Sequence, residues 1–245
     1  MQTPADARSQ FRPPNTPGAV DFLGWDVPAW APALTYWDRV LARRPIAPEE
    51  TGLELGARGG GLSLYLASRR GVHMVCTDLK NPEQWARPRH EVFSFDHLVR
   101  YEAANALELP YADNSFEFVT FKSLLGEVGT VGREQNKVTL LSEAYRVLKP
   151  GGLVLFAENM AASKLHSLAR RMFRSWGQKW GYTSVPEMTR LFERFTEFHC
   201  ETTGFLVAFA PPRWKRAVRQ VDSKLDRYLP QNSRYVIYGS ARKPL

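Results

Sequence analysis

The sequence predicts an α/β fold: an open, mostly parallel sheet of seven strands with helices on both faces, an antiparallel last strand and a helical lid insertion. Three observations predict it. Thr51 to Asp78 reads as strand, glycine turn, helix, strand and acid. Phe116 to Ala157 reads as strand, helix and strand, with a proline and two glycines between the last two. A further strand, a long helix and a final strand follow, closing the sheet.

In the first stretch Gly52, Leu53 and Leu55 surround Glu54 and give way to Gly56, Gly59, Gly60 and Gly61. Leu62, Tyr65 and Leu66 follow at helical spacing, and Gly71 stands where a left-handed residue without a Cβ ends a helix. Val72 to Thr77 reads as a second buried strand that closes on Asp78. The glycines let the backbone turn sharply and approach a ligand, and the helix behind them presents unpaired N–H groups. Asp78 lies eighteen residues after Gly60, near the spacing of about 20 at which an acid at the tip of the second strand reaches ribose hydroxyls.

A dinucleotide loop would have glycine where Arg58 stands. Glu54, two residues before Gly56, is a poor neighbour for phosphate and a good one for an ammonium. At these residues the chain resembles the class I S-adenosylmethionine-dependent methyltransferases, whose first motif is an acid, one residue and a glycine pattern. The resemblance implies a Rossmann-like fold with S-adenosyl-L-methionine as cofactor. It places Glu54 at the amino-acid end, Gly56, Arg58, Gly59 and Gly60 in the loop, and Asp78 with Leu79 at the ribose. Arg58 departs from the family's middle glycine, and three glycines in a row follow it.

Leu98 to Ala103 reads as the third strand, and Asn105, Ala106, Leu107, Glu108, Leu109, Pro110 and Tyr111 precede Asp113, Asn114, Ser115, Phe116 and Glu117. This phrase resembles the ubiquinone and menaquinone type of the family: an acid-alanine pair, leucine-proline-aromatic, then a turn into the fourth strand. The resemblance implies an adenine contact at Asn105 and Ala106, where the asparagine amide replaces the usual acid. Phe116 to Phe121 suits a buried central strand, and Lys122 and Ser123 sit at its C-terminal end, where ligands lie in open α/β sheets. Lys122 reads either as a contact to the cofactor carboxylate or as a solvated loop lysine. Val138 to Leu148 is amphipathic and runs into Arg146, Val147, Leu148, Lys149, Pro150, Gly151 and Gly152, then the apolar Leu153 to Ala157. That helix-turn-strand phrase is a second fingerprint of the family, and its role is structural.

Outside Thr51 to Glu158 the sequence speaks through architecture. Residues 1–18 hold four prolines and read as a flexible arm. The rest, 19–245, reads as one domain. Its aromatic-rich segment at about 19–45, with Phe22, Trp25, Trp30, Tyr36 and Trp37, is a cap helix. A lid insertion spans about 161–195. Within it Leu165, Leu168, Met172 and Trp176 share one helical face, expected to pack on the domain, while Lys164, Arg170, Arg171, Arg174 and Lys179 face solvent, an anionic substrate or a membrane surface. Ser184 and Glu187 form a capping box. Phe198 to Ala210 reads as the sixth strand, Trp214 to Tyr228 as a helix and Tyr235 to Ala241 as the last strand.

The net charge of +8 favours acidic partners. Cys76 and Cys200 make no disulfide framework, and no apolar run reaches the length of about 18 residues needed to cross a bilayer, so the expectation is a cytoplasmic protein with at most peripheral membrane contact. The N-terminus lacks the apolar core of a signal peptide. No histidine and cysteine spacing suggests a metal site. Methyl transfer needs a base only when the nucleophile must lose a proton. Glu127, Glu158 and His166 are the candidates, and each has a plain alternative: a loop carboxylate, a strand-end acceptor and an exposed helix residue. The expected activity is methyl transfer to a small-molecule, saccharide or lipid-linked acceptor, anionic ones included. An RNA methyltransferase is the alternative favoured by charge, although no separate RNA-binding module is visible. A catalytically silent binding protein of the same fold is the other.

Overall fold

The computed structural model describes residues 16–44, 47, 49–172 and 179–245. Residues 1–15 of the expected arm and 173–178 of the expected lid lie outside the described residues. Two helices, α1 (Ala19–Leu23) and α2 (Val27–Ala42), precede β1 (Thr51–Leu55), α3 (Gly61–Arg70), β2 (His73–Asp78), α4 (Glu83–Val92) and β3 (Val99–Ala103). Then come β4 (Phe116–Lys122), α5 (Leu125–Val128), α6 (Gln135–Val147), β5 (Leu148–Asn159), α7 (Lys164–Met172) and α8 (Val185–Leu191). The chain closes with β6 (Thr196–Thr203), α9 (Lys215–Leu225) and β7 (Val236–Arg242).

The seven strands form one sheet in the order β3-β2-β1-β4-β5-β7-β6. β1 through β5 pair in parallel, and β7 lies antiparallel to both β5 and β6. Buried strands explain the near-continuous apolar runs: Leu53, Phe118, Val119, Phe121, Val154 and Phe156 are sealed between two apolar layers. β1 and β4 are neighbours whose connections depart in opposite directions, so a crevice opens at their C-terminal ends.

α2 covers the β7 side of the sheet. Trp30 and Trp37 are fully buried, Trp37 Nε1 donates to the Gly239 carbonyl at 3.1 Å, and Tyr36 shares a 3.0 Å hydrogen bond with Ser240. α1 rests directly on α3 at Gly61, where a Cβ would fall 2.1 Å from the Phe22 carbonyl oxygen. The glycine is what lets the two backbones meet.

The leucine-proline turn and the RVLKPGG phrase prove to be one structure. Arg146 donates to the carbonyls of Leu109 and Tyr111 at 2.9 and 2.6 Å, and to Asp113 and Glu143. The bonds to Glu143 and Asp113 hold the guanidinium pKa up. Two motifs separated in sequence thus meet at the edge remote from the crevice.

Three segments differ from expectation. β6 stops at Thr203 because Gly204 takes φ +79, after which residues 206–208 form a single 3-10 turn. The Gly126 to Gly129 loop contains the short helix α5. In α7 the expected orientation is reversed. His166, Ala169 and Arg170 face inward, whereas Leu165, Leu168 and Met172 are exposed. The inward polar groups find partners: Arg170 donates to the carbonyls of Met160 and Ala161, and His166 bonds Ser163 and Phe205.

Candidate functional site

The glycine turn begins the site. Gly60 takes φ +66 at the entrance of α3 and has no side chain with which to cap it. Glu54, arriving from β1, supplies the cap: its carboxylate accepts from Leu62 N at 3.1 Å and from Ser63 N and Oγ at 2.7 and 2.6 Å. Burial pushes its pKa up to about 7, against the lowering effect of those hydrogen bonds. Glu54 therefore has a structural task that sequence reasoning missed, while still lining the cleft.

Asp78 closes β2 on the other side of the turn. Its Oδ2 accepts from Arg58 N at 2.9 Å and its Oδ1 from Leu79 N at 2.7 Å, so the carboxylate and the turn fix each other. Arg58 holds φ +48, the left-handed region that the absent glycine would occupy without strain. Its guanidinium reaches Glu127 on α5 at 3.5 Å. His90 on α4 braces the turn from behind, with Nε2 2.8 Å from the Gly60 carbonyl and Nδ1 2.8 Å from the Tyr101 hydroxyl.

Two cavities adjoin at Arg58 and Gly59. The smaller, about 440 Å³, is lined by Asp78, Leu79, Lys80 and Trp85 as well. The larger, about 1180 Å³, runs from Glu54, Gly56 and Leu62 past Lys122, Ser123 and Glu127. It then passes between the cap, at Phe22, Trp25 and Asp26, and the C-terminal segment, at Phe209, Arg213, Lys215 and Arg216. Lys122 is neither solvated nor free in a loop. Its ammonium stands 4.4 Å from the Trp25 ring centre and 4.6 Å from that of Trp30, and burial lowers its pKa to about 8.

The structure thus brings Glu54, Gly56, Arg58, Gly59, Lys122 and Ser123 to one cleft and Asp78 and Leu79 to its neighbour. Asn105 and Ala106 line neither cavity. The Asn105 side-chain oxygen Oδ1 accepts from Leu107 N at 3.0 Å in a local turn.

The three base candidates fare differently. Glu158 is fully buried and turns into the start of α5, accepting from Leu124 and Leu125 N at 2.7 and 2.8 Å; burial raises its pKa to about 7. His166 lines the large cleft but is buried, with Nδ1 2.8 Å from Ser163 Oγ and Nε2 3.0 Å from the Phe205 carbonyl, and burial lowers its pKa to about 4. Both ring nitrogens are engaged, so it is a neutral brace. Glu127 lines the cleft and pairs with Arg58. Among the described residues no group of three or more His, Cys, Asp or Glu could hold a metal ion.

Sequence reasoning had Arg170 among the cations that could face an anionic substrate, but missed the rest of the far wall of the cleft. Asp26 ties the cap to α9 through Lys215 at 2.6 Å, and Arg170 lies 3.6 Å from the Tyr182 ring centre. The signal lay in the density of Trp, Tyr and Arg in segments without a family motif.

A crevice at the switch between β1 and β4, a carboxylate-capped glycine turn and an acid at the tip of β2 define a nucleoside-binding α/β protein. Comparison with known proteins is more specific. Residues 53–156 match a family model described as a methyltransferase domain. A glycine/sarcosine/dimethylglycine N-methyltransferase of Actinopolyspora halophila is 31% identical over 193 residues, 76% of this chain and 32% of that protein. A demethylmenaquinone methyltransferase of Oceanobacillus iheyensis is 46% identical over 121 residues, 48% of each chain. The chain therefore spans about half or less of the length of these curated relatives.

Two solved structures share the fold. The Haemonchus contortus phosphoethanolamine N-methyltransferase 2, in complex with phosphomonomethylethanolamine and S-adenosylhomocysteine, superposes with a TM-score of 0.62 at 19% identity, over 88% of this chain and 53% of that one. The geranyl diphosphate C-methyltransferase of Streptomyces coelicolor A3(2) gives 0.60 at 18%, over 87% and 78%. Residues 53–156 are thus similar to a methyltransferase domain, and the chain shares the fold of S-adenosylmethionine-dependent methyltransferases of known structure.

Proposed function

We propose that the protein transfers a methyl group from S-adenosyl-L-methionine to a small anionic acceptor. The observation that supports this most is the pair of adjoining cavities sharing Arg58 and Gly59, with Asp78 at one end and Glu54 and Lys122 at the other. The smaller cavity suits the nucleoside, whose ribose hydroxyls donate to Asp78, with Leu79 and Trp85 as apolar walls. The larger takes the amino-acid end and the acceptor. The crevice between β1 and β4 keeps the sulfonium at the mouth between them.

Charge argues for the acceptor class. The large cleft is lined by Arg58, Arg89, Lys122, Arg170, Arg213, Lys215 and Arg216 against Asp26, Glu54 and Glu127. Asp26 is paired with Lys215 and Glu127 with Arg58, while Glu54 is occupied by helix N–H groups. A carboxylate or phosphate entering from the α9 side meets an unbalanced positive field.

Methyl transfer from a sulfonium is an in-line displacement, in which the acceptor lone pair forms the new bond to carbon as the carbon–sulfur pair returns to sulfur. Holding the two in line supplies much of the acceleration. Among the described residues Glu158 faces away, His166 is neutral with both nitrogens engaged and Glu127 is paired with Arg58, so the site suits a nucleophile with an available lone pair at neutral pH, such as a carboxylate, better than a hydroxyl or an ammonium.

The experiment is transfer of a radiolabelled methyl group to cell extract fractionated into lipids, saccharides, small acids, amines and RNA. Label in the small-acid fraction is the expected result. Label confined to RNA would contradict the acceptor class, and no transfer together with no binding of S-adenosylhomocysteine would leave a silent fold.

A further inference from the structure

Two stretches beside the mouth of the large cleft contain no acidic residue. Among the described residues, 159–172 and 179–186 include Lys164, Arg170, Arg171 and Lys179, and 204–221 include Arg213, Lys215, Arg216 and Arg219. The first acid after the second stretch, Asp222, is fully buried. Its carboxylate accepts from Phe205, Leu206 and Val207 N at 2.9, 2.9 and 2.8 Å, and so contributes no exposed negative charge.

These contacts join α7, the 206–208 turn and α9 into one unit. His166 of α7 bonds the Phe205 carbonyl and packs its ring 4.9 and 4.5 Å from those of Phe205 and Phe209, while Asp222 of α9 grips the same turn from its other side. Inward, the unit lines the cleft through His166, Arg170, Phe209, Arg213 and Arg216.

Outward, it exposes apolar groups. Leu165 and Leu168 are each 53% exposed and Met172 69%, at spacings of three and four residues that place them on one stripe of α7. Lys164 and Arg171, both exposed, flank that stripe. Leu206, Trp214 and Val221 are exposed on the turn and beside it, with Trp214 56% open to solvent. Such a helix face, apolar side chains bordered by cations, matches the requirements of an interfacial helix on a negatively charged bilayer.

We propose that the α7–α9 face docks on an anionic lipid bilayer, setting the mouth of the large cleft at headgroup level. The charge pattern selects this occupant. Lys164 and Arg171 are the exposed charges that border the apolar stripe, and a bilayer of anionic headgroups presents the complementary charge over the apolar phase that Leu165, Leu168 and Met172 require. Docking needs neither cofactor nor methyl acceptor, so the proposal stands or falls apart from the catalytic reading.

Co-sedimentation of the full chain with vesicles tests it. The protein should pellet with phosphatidylglycerol-containing vesicles and remain in solution with phosphatidylcholine alone. Binding should weaken at about 1 M salt, where the screening length falls to about 3 Å. Joint Leu165→Ser, Leu168→Ser and Met172→Ser replacement should weaken binding on the order of tenfold or more. Lys164→Glu with Arg171→Glu should do the same. All five positions are exposed, and circular dichroism verifies that each variant is folded. Equal binding to both vesicle types would overturn the proposal, as would undiminished binding of the folded apolar variant. Absence of vesicle binding with self-association abolished by the same three serines would assign the face to a second copy of the chain and also overturn it.

Discussion

Glu54 Oε2 accepts hydrogen bonds from both the backbone N–H and the hydroxyl of Ser63, at 2.7 and 2.6 Å. This one carboxyl connects β1 to the first turn of α3 and fixes the glycine turn between them. Because the cap comes from the preceding strand, the residue before α3 can be Gly60, whose φ of +66 only a glycine takes without strain.

The burial of Glu54 and Glu158 makes stability depend on pH. Each has its pKa raised from 4.5 to about 7 by desolvation. Their contribution is fully present below the unfolded value near pH 4.5, and it is lost as pH rises through about 7. In thermal melts from about pH 5 to about pH 8 these two groups should therefore lower the Tm as pH rises, while His166, whose pKa burial lowers to about 4, acts in the opposite sense over the lower part of that range. Glu158→Gln, which keeps the side chain neutral, should remove part of that slope, on the order of 1–3 kcal/mol between the extremes. An unchanged slope would show that Glu158 titrates normally in the folded chain.

Asp78→Ala removes the acceptor of the Arg58 and Leu79 N–H groups together with the proposed ribose contact. Hydrogen bonds to a charged group contribute about 1.5–3 kcal/mol. Affinity for S-adenosylhomocysteine, measured by calorimetry, should fall about tenfold to a hundredfold. A loss smaller than twofold would take Asp78 out of the cofactor site.

Arg58 is the family's departure from glycine, and its backbone shows why the position favours glycine. Replacing it by glycine releases a left-handed non-glycine residue, a strain of about 1–2 kcal/mol. It also removes the exposed ion pair with Glu127, which contributes under about 1 kcal/mol. Denaturant unfolding of Arg58→Gly should give a stability equal to or slightly above the parent. A clear loss would mean that the Arg58–Glu127 contact across the cleft does more than its exposure implies.

Gly61→Ala tests the seat of the cap. A Cβ there falls 2.1 Å from the Phe22 carbonyl oxygen, so α1 must shift off α3. The expected cost is about 1–3 kcal/mol in unfolding. Cofactor affinity should weaken as well, because Phe22 and Trp25 line the large cleft. Full stability with unchanged affinity would show that the cap yields freely.

Much of the fold was legible because local chemistry and tertiary structure agree in it. Glycines at Gly60 and Gly71 take positive φ at the two ends of α3, as the pattern demanded. The RVLKPGG and leucine-proline phrases are readable because Arg146 locks one to the other. The strand starting at Leu148 rather than Leu153 escaped notice, since Pro150, Gly151 and Gly152 read as a break while the chain still pairs with β4 at Leu148.

α7 misled for a different reason. Periodicity locates an apolar stripe but does not say which side of a helix meets the domain, and here buried carbonyls at Met160, Ala161 and Phe205 recruit Arg170 and His166 inward. Likewise the sequence left Lys122 open between a cofactor contact and a solvated loop lysine. Only the fold brings Trp25 and Trp30, from a segment almost 100 residues earlier, around its ammonium.

A crystal of the protein grown with S-adenosylhomocysteine bears most directly on the central claim. The ribose should lie within hydrogen-bond distance of Asp78, with the chain of the ligand crossing Gly56 and Gly59 toward Glu54 and Lys122. A ligand bound elsewhere, or that crevice filled by side chains while the ligand is absent at saturating concentration, would contradict it.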